Sequence, residues 1–260
     1  MDRALSISPA TPRIRLPDFL GLGVQKGGTT TLYRLLADHP EVFLPEQKEV
    51  HYFSLHYAEG PDWYAAHYDA VAPGQHCGDI TPYYLFHPEA PARIKALLPA
   101  ARLMVLLRDP VQRTLSQLFH SRRLGLEPLD LEAAIAAEPQ RLVGAEAVLA
   151  RPDGRHGSHQ EHSYLSRSRY EQQLPGWQAL FPPQQLLILR SEDLFKDPAG
   201  VWERLQSFLG LTPMAWAGEL PRANAGSGEQ ATVPPQLRAW LREQLAPTYR
   251  AMEEGYGIGW

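Results

Sequence analysis

The chain has 260 residues, 44% hydrophobic and 21% charged, with a net charge of -4 and one cysteine. That is enough apolar material for one large α/β core; it excludes an intrachain disulfide and offers no overall basic field of the kind duplex nucleic acid requires. Residues 1–17 hold no apolar run and nothing later approaches ~18 consecutive apolar residues, so neither a signal peptide nor a membrane span is expected, and the chain is expected to be cytoplasmic, with a flexible extension over 1–17 and a single domain over 18–260.

Residues 19–24 predict a buried strand, 25–28 a tight glycine loop, and Thr29, Thr30 and Thr31 the start of a helix. A strand running through such a loop into a helix aims backbone N–H groups and the positive end of the helix dipole at one spot, which suits an anion. A nucleoside-triphosphate loop needs its lysine directly after the last glycine. Here Thr29 follows Gly28, and Lys26 precedes the paired glycines.

Beyond Pro40 and Pro45, Val50 and Tyr52 alternate with Glu49 and His51, which predicts a short extended segment carrying Glu49 and His51 on one side. A carboxylate and an imidazole so placed are either an acid/base pair or a solvated strand face. Residues 61–71 predict a short helix with an aromatic core stripe. Cys77 reads as core rather than as a nucleophile. The unbroken apolar run at 103–107 predicts a strand buried on both faces of a parallel sheet, Pro110 the start of a helix, and Arg108 a ligand contact at the strand's carboxyl end. Residues 126–162 read as helical, broken by Pro128, Pro139 and Pro152. There His156, His159 and His162 fall in a glycine-rich tract that reads as a solvated loop rather than a metal site, long enough to close over a substrate. A helix over 164–181 interrupted at Pro175, a strand over 185–189, a helix over 198–209 with Glu192 and Asp193 as capping acids, and one closing helix over 234–255 with Trp240 in the core complete the reading.

The order Lys26-Gly27-Gly28-Thr29-Thr30 resembles the phosphosulfate loop of sulfotransferases that use 3'-phosphoadenylyl sulfate (PAPS), in the form of the heparan-sulfate type. Glu49-Val50-His51-Tyr52-Phe53 is similar to that family's glutamate-x-histidine element, Gly78-Asp79-Ile80-Thr81-Pro82-Tyr83-Tyr84 to its proline-tyrosine element, and Arg108, Arg113 and Ser116 to its 3'-phosphate element; the ending GIGW matches as well. The resemblance implies an α/β, P-loop-like three-layer fold with a central, mostly parallel sheet flanked by helices. It implies PAPS as donor and PAP as product, without a metal. Lys26, Gly27, Gly28, Thr29, Thr30 and Thr31 would hold the phosphosulfate, and Arg108 and Ser116 the 3'-phosphate, with Tyr164 and Arg222 as further nucleotide contacts. Glu49 would be the base and His51 its orienting partner. Two departures stand out: Ser54 where the family carries an acid, and Ile80 where it carries a lysine. They leave Lys26 as the main cation and point Asp79 toward the acceptor. A saccharide acceptor is expected, with a lipid or small natural product next. Arg122, Arg123, Arg151, Arg155, Arg167 and Arg169 form either a basic rim for it or a solvated surface. The rival readings are a P-loop kinase or NTPase and a non-catalytic nucleotide-binding protein.

Overall fold

The computed structural model describes residues 14–216, 218, 220 and 232–260. Five strands, β1 (Phe19–Gly23), β2 (Val42–Phe43), β3 (His76–Ile80), β4 (Arg102–Leu107) and β5 (Leu186–Arg190), form one sheet in the order β2-β3-β1-β4-β5. Every pairing in it is parallel. Among the described residues the helices are α1 (Thr29–Ala37), α2 (Gly60–Ala65), α3 (Ala90–Leu97), α4 (Pro110–Arg123), α5 (Leu131–Arg141), α6 (Ala145–Leu149), α7 (Gly157–Glu161), α8 (Tyr170–Gln178), α9 (Ser191–Lys196), α10 (Pro198–Leu209), α11 (Pro235–Gln244) and α12 (Ala246–Tyr256).

The central strands β1 and β4 are almost wholly apolar because both faces are covered. On β4, Leu103, Val105 and Leu107 join a core with Ile94 of α3, Tyr170, Leu174 and Trp177 of α8 and Met252 of α12. Met104 and Leu106 point the other way, to Leu32, Leu35 and Leu36 of α1 and Val201, Trp202 and Leu205 of α10. A third cluster packs α4 against α5 and α11 through Leu115, Leu118, Ile135, Leu237 and Leu241. The chain goes from β1 to β2 and β3 on one side and to β4 and β5 on the other, so the strand order reverses beside β1. In open α/β sheets ligands bind outside the carboxyl ends of the strands at such a point.

Three expectations are corrected. Residues 49–51 are not an extended segment: Glu49 and His51 have φ of 66° and 59°, and the short edge strand is Val42–Phe43 instead. The closing helix is two helices, because Pro247 in the first turn of α12 has no N–H to continue the ladder from α11; Trp240 is 41% exposed rather than core. The histidine tract is not a solvated loop. α7 runs through it, and His159 is buried, stacked on Phe86 with ring centroids 4.2 Å apart and its Nδ1 2.8 Å from the Tyr83 hydroxyl. Apolar contact from Phe86, invisible in the local glycine content, drew it inward.

Sheet closeness is set at Gly78, where an added Cβ would lie 2.1 Å from Cε2 of Phe19 on β1. Gly78→Ala is therefore expected to lower unfolding free energy by about 1–3 kcal/mol in urea titration, the overpacking falling between two core strands that cannot separate.

Candidate active site

β1 ends at Gly23 and the chain turns at once. The Val24 N–H donates to the Leu106 carbonyl at 3.0 Å and the Gly27 N–H to the Val24 carbonyl at 2.9 Å, which stitches the turn to β4. An added Cβ at Gly27 would stand 2.6 Å from the Leu106 oxygen, so the turn admits only glycine there. Gly28, with φ of 92°, precedes α1, which has neither a side-chain cap nor an acid in its first turn. The N–H groups of that turn and the dipole's positive end are left for a ligand.

The first turn opens onto a cleft of about 800 Å³ lined by Lys26, Gly28, Thr29, Thr30 and Thr31, by Lys48 and Glu49, by Arg108, Gln112, Ser116 and His120, and by Ser191, Glu192 and Phe195. Most of the expected site residues thus come together from separate elements. Gly27 lies beneath the turn as its spacer. Arg108, at the end of β4, donates from Nη1 to the Lys26 carbonyl at 3.0 Å, and its own carbonyl accepts from the Tyr170 hydroxyl at 2.8 Å. Pro110 opens α4 behind an Asp109 cap that accepts the Gln112 N–H at 2.8 Å. Gln112, Ser116 and His120 then follow at one-turn intervals on the same helical face.

Lys26, Glu49 and His51 are the non-glycine residues with left-handed φ among those described, at 69°, 66° and 59°. Such conformations cost of order 1–3 kcal/mol each and persist only where surroundings impose them. Here they aim a cation and a carboxylate into one cleft. Glu49 has Oε1 2.6 Å from Lys48 Nζ and Oε2 3.6 Å from His51 Nε2. His51 stands behind it, its Nδ1 3.1 Å from the Ser54 hydroxyl.

Burial pushes the Glu49 carboxyl up, but the nearby His51 imidazole and the charge and hydrogen bond of Lys48 outweigh it and leave the group at about 2. The Lys26 ammonium falls to about 8, first through burial and then through repulsion from Arg123 and Arg108. His120 is also lowered, by burial and then by Lys26 and Arg123. Cationic groups crowded before any ligand arrives are arranged for an anion.

Four expected roles are corrected. Tyr164 is fully buried and its hydroxyl donates to Glu127 Oε2 at 2.7 Å, away from the cleft. Asp79 is buried and receives the Thr81, Tyr84 and Tyr64 hydroxyls at 2.6, 2.7 and 2.9 Å; burial raises its pKa. It is framework, out of an acceptor's reach. Arg167 is no rim residue. It is buried, donates to Gln25 Oε1 at 2.6 Å and lies over the Tyr83 and Phe86 rings, bracing the glycine loop from behind. Glu192 caps nothing on its own helix: Oε1 accepts the Asp109 N–H at 3.0 Å and Oε2 the Trp260 indole N–H at 2.9 Å, which ties the chain's last residue to the cleft wall. Arg222 lies outside the described residues. The sequence reading missed Lys48, Gln112, His120, Ser191 and Phe195. Helical spacing from Ser116 would have found Gln112 and His120, and adjacency to Glu49 would have found Lys48. Ser191 and Phe195 arrive only through the β4–β5 pairing.

Residues 16–220 match the sulfotransferase domain family. The chain is 34% identical to human heparan sulfate glucosamine 3-O-sulfotransferase 6 over 80% of its own length and 56% of the relative's. It spans about half the length of the curated relatives it matches. Among solved structures it resembles a sulfotransferase from Alicyclobacillus acidocaldarius, with TM-score 0.75, 24% identity and coverage of 93% of this chain and 96% of that one. It also resembles a mouse sulfotransferase complexed with PAP, with TM-score 0.56, 13% identity and coverage of 90% and 85%.

The lowered Lys26 pKa sets a pH dependence. Lys26 is charged below about 8, so PAP measured by calorimetry from about pH 7 to about pH 9.5 should bind several-fold more weakly at the upper end, with a flatter profile in Lys26→Gln. The free protein shows the opposite sign: because the folded pKa lies below the ordinary 10.5, the Lys26 contribution to stability rises between those two values.

Proposed function

The chain belongs to the sulfotransferase domain family, and we propose that it moves a sulfuryl group from PAPS to a hydroxyl or amine of a saccharide. The observation that carries the reading is the meeting, in one cleft, of an uncapped helix start, Lys26, Arg108 and a strained, ionised Glu49. The residues fit the donor: Gly27 leaves room for a backbone cradle, the first turn of α1 presents N–H groups, and Lys26 supplies a cation at the same spot. Arg108 and Ser116, on the β4 side, suit a second phosphate, since a guanidinium donates two parallel bonds to such a group. When bound, the donor would supply an activated sulfuryl group.

The protein's part is positioning, charge stabilisation and proton transfer. Lys26 and the first-turn N–H groups stabilise negative charge on the leaving oxygen, and they are in place before it develops, where preorganised donors are worth most. Glu49, ionised throughout the working pH range, accepts the acceptor proton. His51 positions it from behind. As the acceptor's oxygen or nitrogen bonds to sulfur and the bridging sulfur–oxygen bond breaks, the acceptor's proton passes to Glu49 and the electron pair of the broken bond leaves with PAP.

The names of the curated relatives, which include heparan sulfate 3-O-sulfotransferases and an N-deacetylase/N-sulfotransferase, favour a saccharide acceptor. No described helix is long and apolar enough to cross a membrane.

Glu49→Gln keeps the shape and removes the base. With radiolabelled PAPS and a panel of desulfated heparan oligosaccharides, transfer is expected to fall by about 10²–10⁴-fold while PAP affinity stays close to wild type. Wild-type turnover in Glu49→Gln would remove Glu49 from the mechanism, and absence of PAPS binding by the parent protein would overturn the reading itself.

A further inference from the structure

At Ile80 the chain has no cation to offer. Ile80 ends β3, is 2% exposed, and has its Cγ2 3.0 Å from where a Cβ on Gly21 of β1 would stand. It packs into the core on the α1 and α10 side. The position belongs to the sheet interior, so a side chain there serves packing.

A different lysine does reach the cleft. Lys48 lies in the loop after β2 and lines the same space as Lys26, Glu49 and the start of α1. Its side chain is 22% exposed and its Nζ is 2.6 Å from Glu49 Oε1. It is near enough to Lys26 for its charge to add to the lowering of that ammonium's pKa. The ammonium sits on a flexible four-carbon stem with three rotatable donors, so it can change partner without moving the backbone.

The resting arrangement is unproductive for proton abstraction. Both Glu49 oxygens are engaged, one by Lys48 and one facing His51. Burial raises the carboxyl's pKa, yet the His51 and Lys48 contacts more than cancel this, and at about 2 the group is far below the range in which a base is most effective. Two like charges, Lys26 and Lys48, meanwhile face an open cleft whose wall holds uncapped N–H groups.

Accepting the sulfuryl-transfer reading above, on which this rests, we propose that Lys48 exchanges Glu49 Oε1 for an oxygen of the donor's sulfuryl group, so that arrival of the donor both adds a second cation beside Lys26 and frees one carboxylate oxygen to take the acceptor's proton. Lys48 is thereby the contact that couples donor loading to the base. The differential free energy comes from the sulfuryl group alone: PAP lacks it and gives Lys48 no reason to leave Glu49. An enzyme built this way keeps its carboxylate capped until the donor is present.

The test compares PAPS with PAP in the absence of any acceptor, by calorimetry, for the whole protein and for Lys48→Met and Lys48→Arg. Lys48→Met should weaken PAPS by about tenfold, the size of a charge-assisted hydrogen bond lost, while leaving PAP affinity within about twofold. Lys48→Arg, which keeps the charge, should retain most of the discrimination, and it reports even if the methionine variant is poorly folded by circular dichroism. In a carboxyl-labelled protein followed by NMR titration, the Glu49 pKa should rise in Lys48→Met and should also rise when PAPS, but not PAP, is added to the parent. Equal weakening of PAPS and PAP, no weakening of either, or a Glu49 pKa indifferent to PAPS would overturn the exchange. Failure of the parent protein to bind PAPS at all would instead overturn the sulfuryl-transfer reading.

Discussion

Two hydrogen bonds join the two halves of the cleft. Arg108 at the end of β4 donates to the carbonyl of Lys26 in the turn after β1, and beneath it the Val24 N–H reaches the Leu106 carbonyl. The turn after β1 and the end of β4 are therefore one rigid piece. Gly27 makes the approach possible, since any side chain there would collide with the Leu106 oxygen. Moving either half would move both. That is what a site gripping two ends of one ligand requires, because geometric precision at the reacting centre depends on binding groups elsewhere.

Around this joint the molecule stores electrostatic and conformational cost. Lys26 is half-buried beside like charges, and Glu49 is held in a left-handed backbone conformation with its carboxylate between Lys48 and His51. A ligand carrying several negative charges relieves the cationic crowding, so part of the binding energy is prepared in advance by folding. The net charge of -4 shows that the positive character is local, set by side chains gathered at one end of the sheet.

A second tier of buried polar residues keeps that end rigid. Asp79 gathers the hydroxyls of Thr81, Tyr64 and Tyr84. Arg113, wholly buried, is bonded to Ser168, Gln117 and the Tyr164 carbonyl, and Arg167 braces Gln25. Glu138 receives the N–H groups of Leu165 and Ser166 at 2.7 and 2.8 Å. Asp79, Arg113 and Glu138 are satisfied, which is the condition for burying them; the buried Nε of Arg167, which has no hydrogen-bond partner, is the exception. Their pattern of charge and aromaticity in the sequence is the same as that of ligand contacts, and only burial separates the two.

Local chemistry made much of the fold and site legible before any coordinates. The apolar run of β4 is buried on both faces, Pro110 does open α4, and the glycine loop after β1 does leave a helix start uncapped, because each depends on backbone sterics and short-range periodicity. Lys26, Glu49, Arg108 and Ser116 could be picked out by residue type and spacing. The meeting of Lys26 with Arg108 and Ser116 follows from the parallel pairing of β1 with β4, a contact between segments about eighty residues apart. The fates of Tyr164, Asp79, Arg167 and His159 were decided by tertiary structure alone: whether a polar side chain faces a ligand or the interior depends on which distant group can satisfy it. Glu127, Tyr64, Gln25 and Tyr83 are such partners, each far enough along the chain that no local pattern announces it.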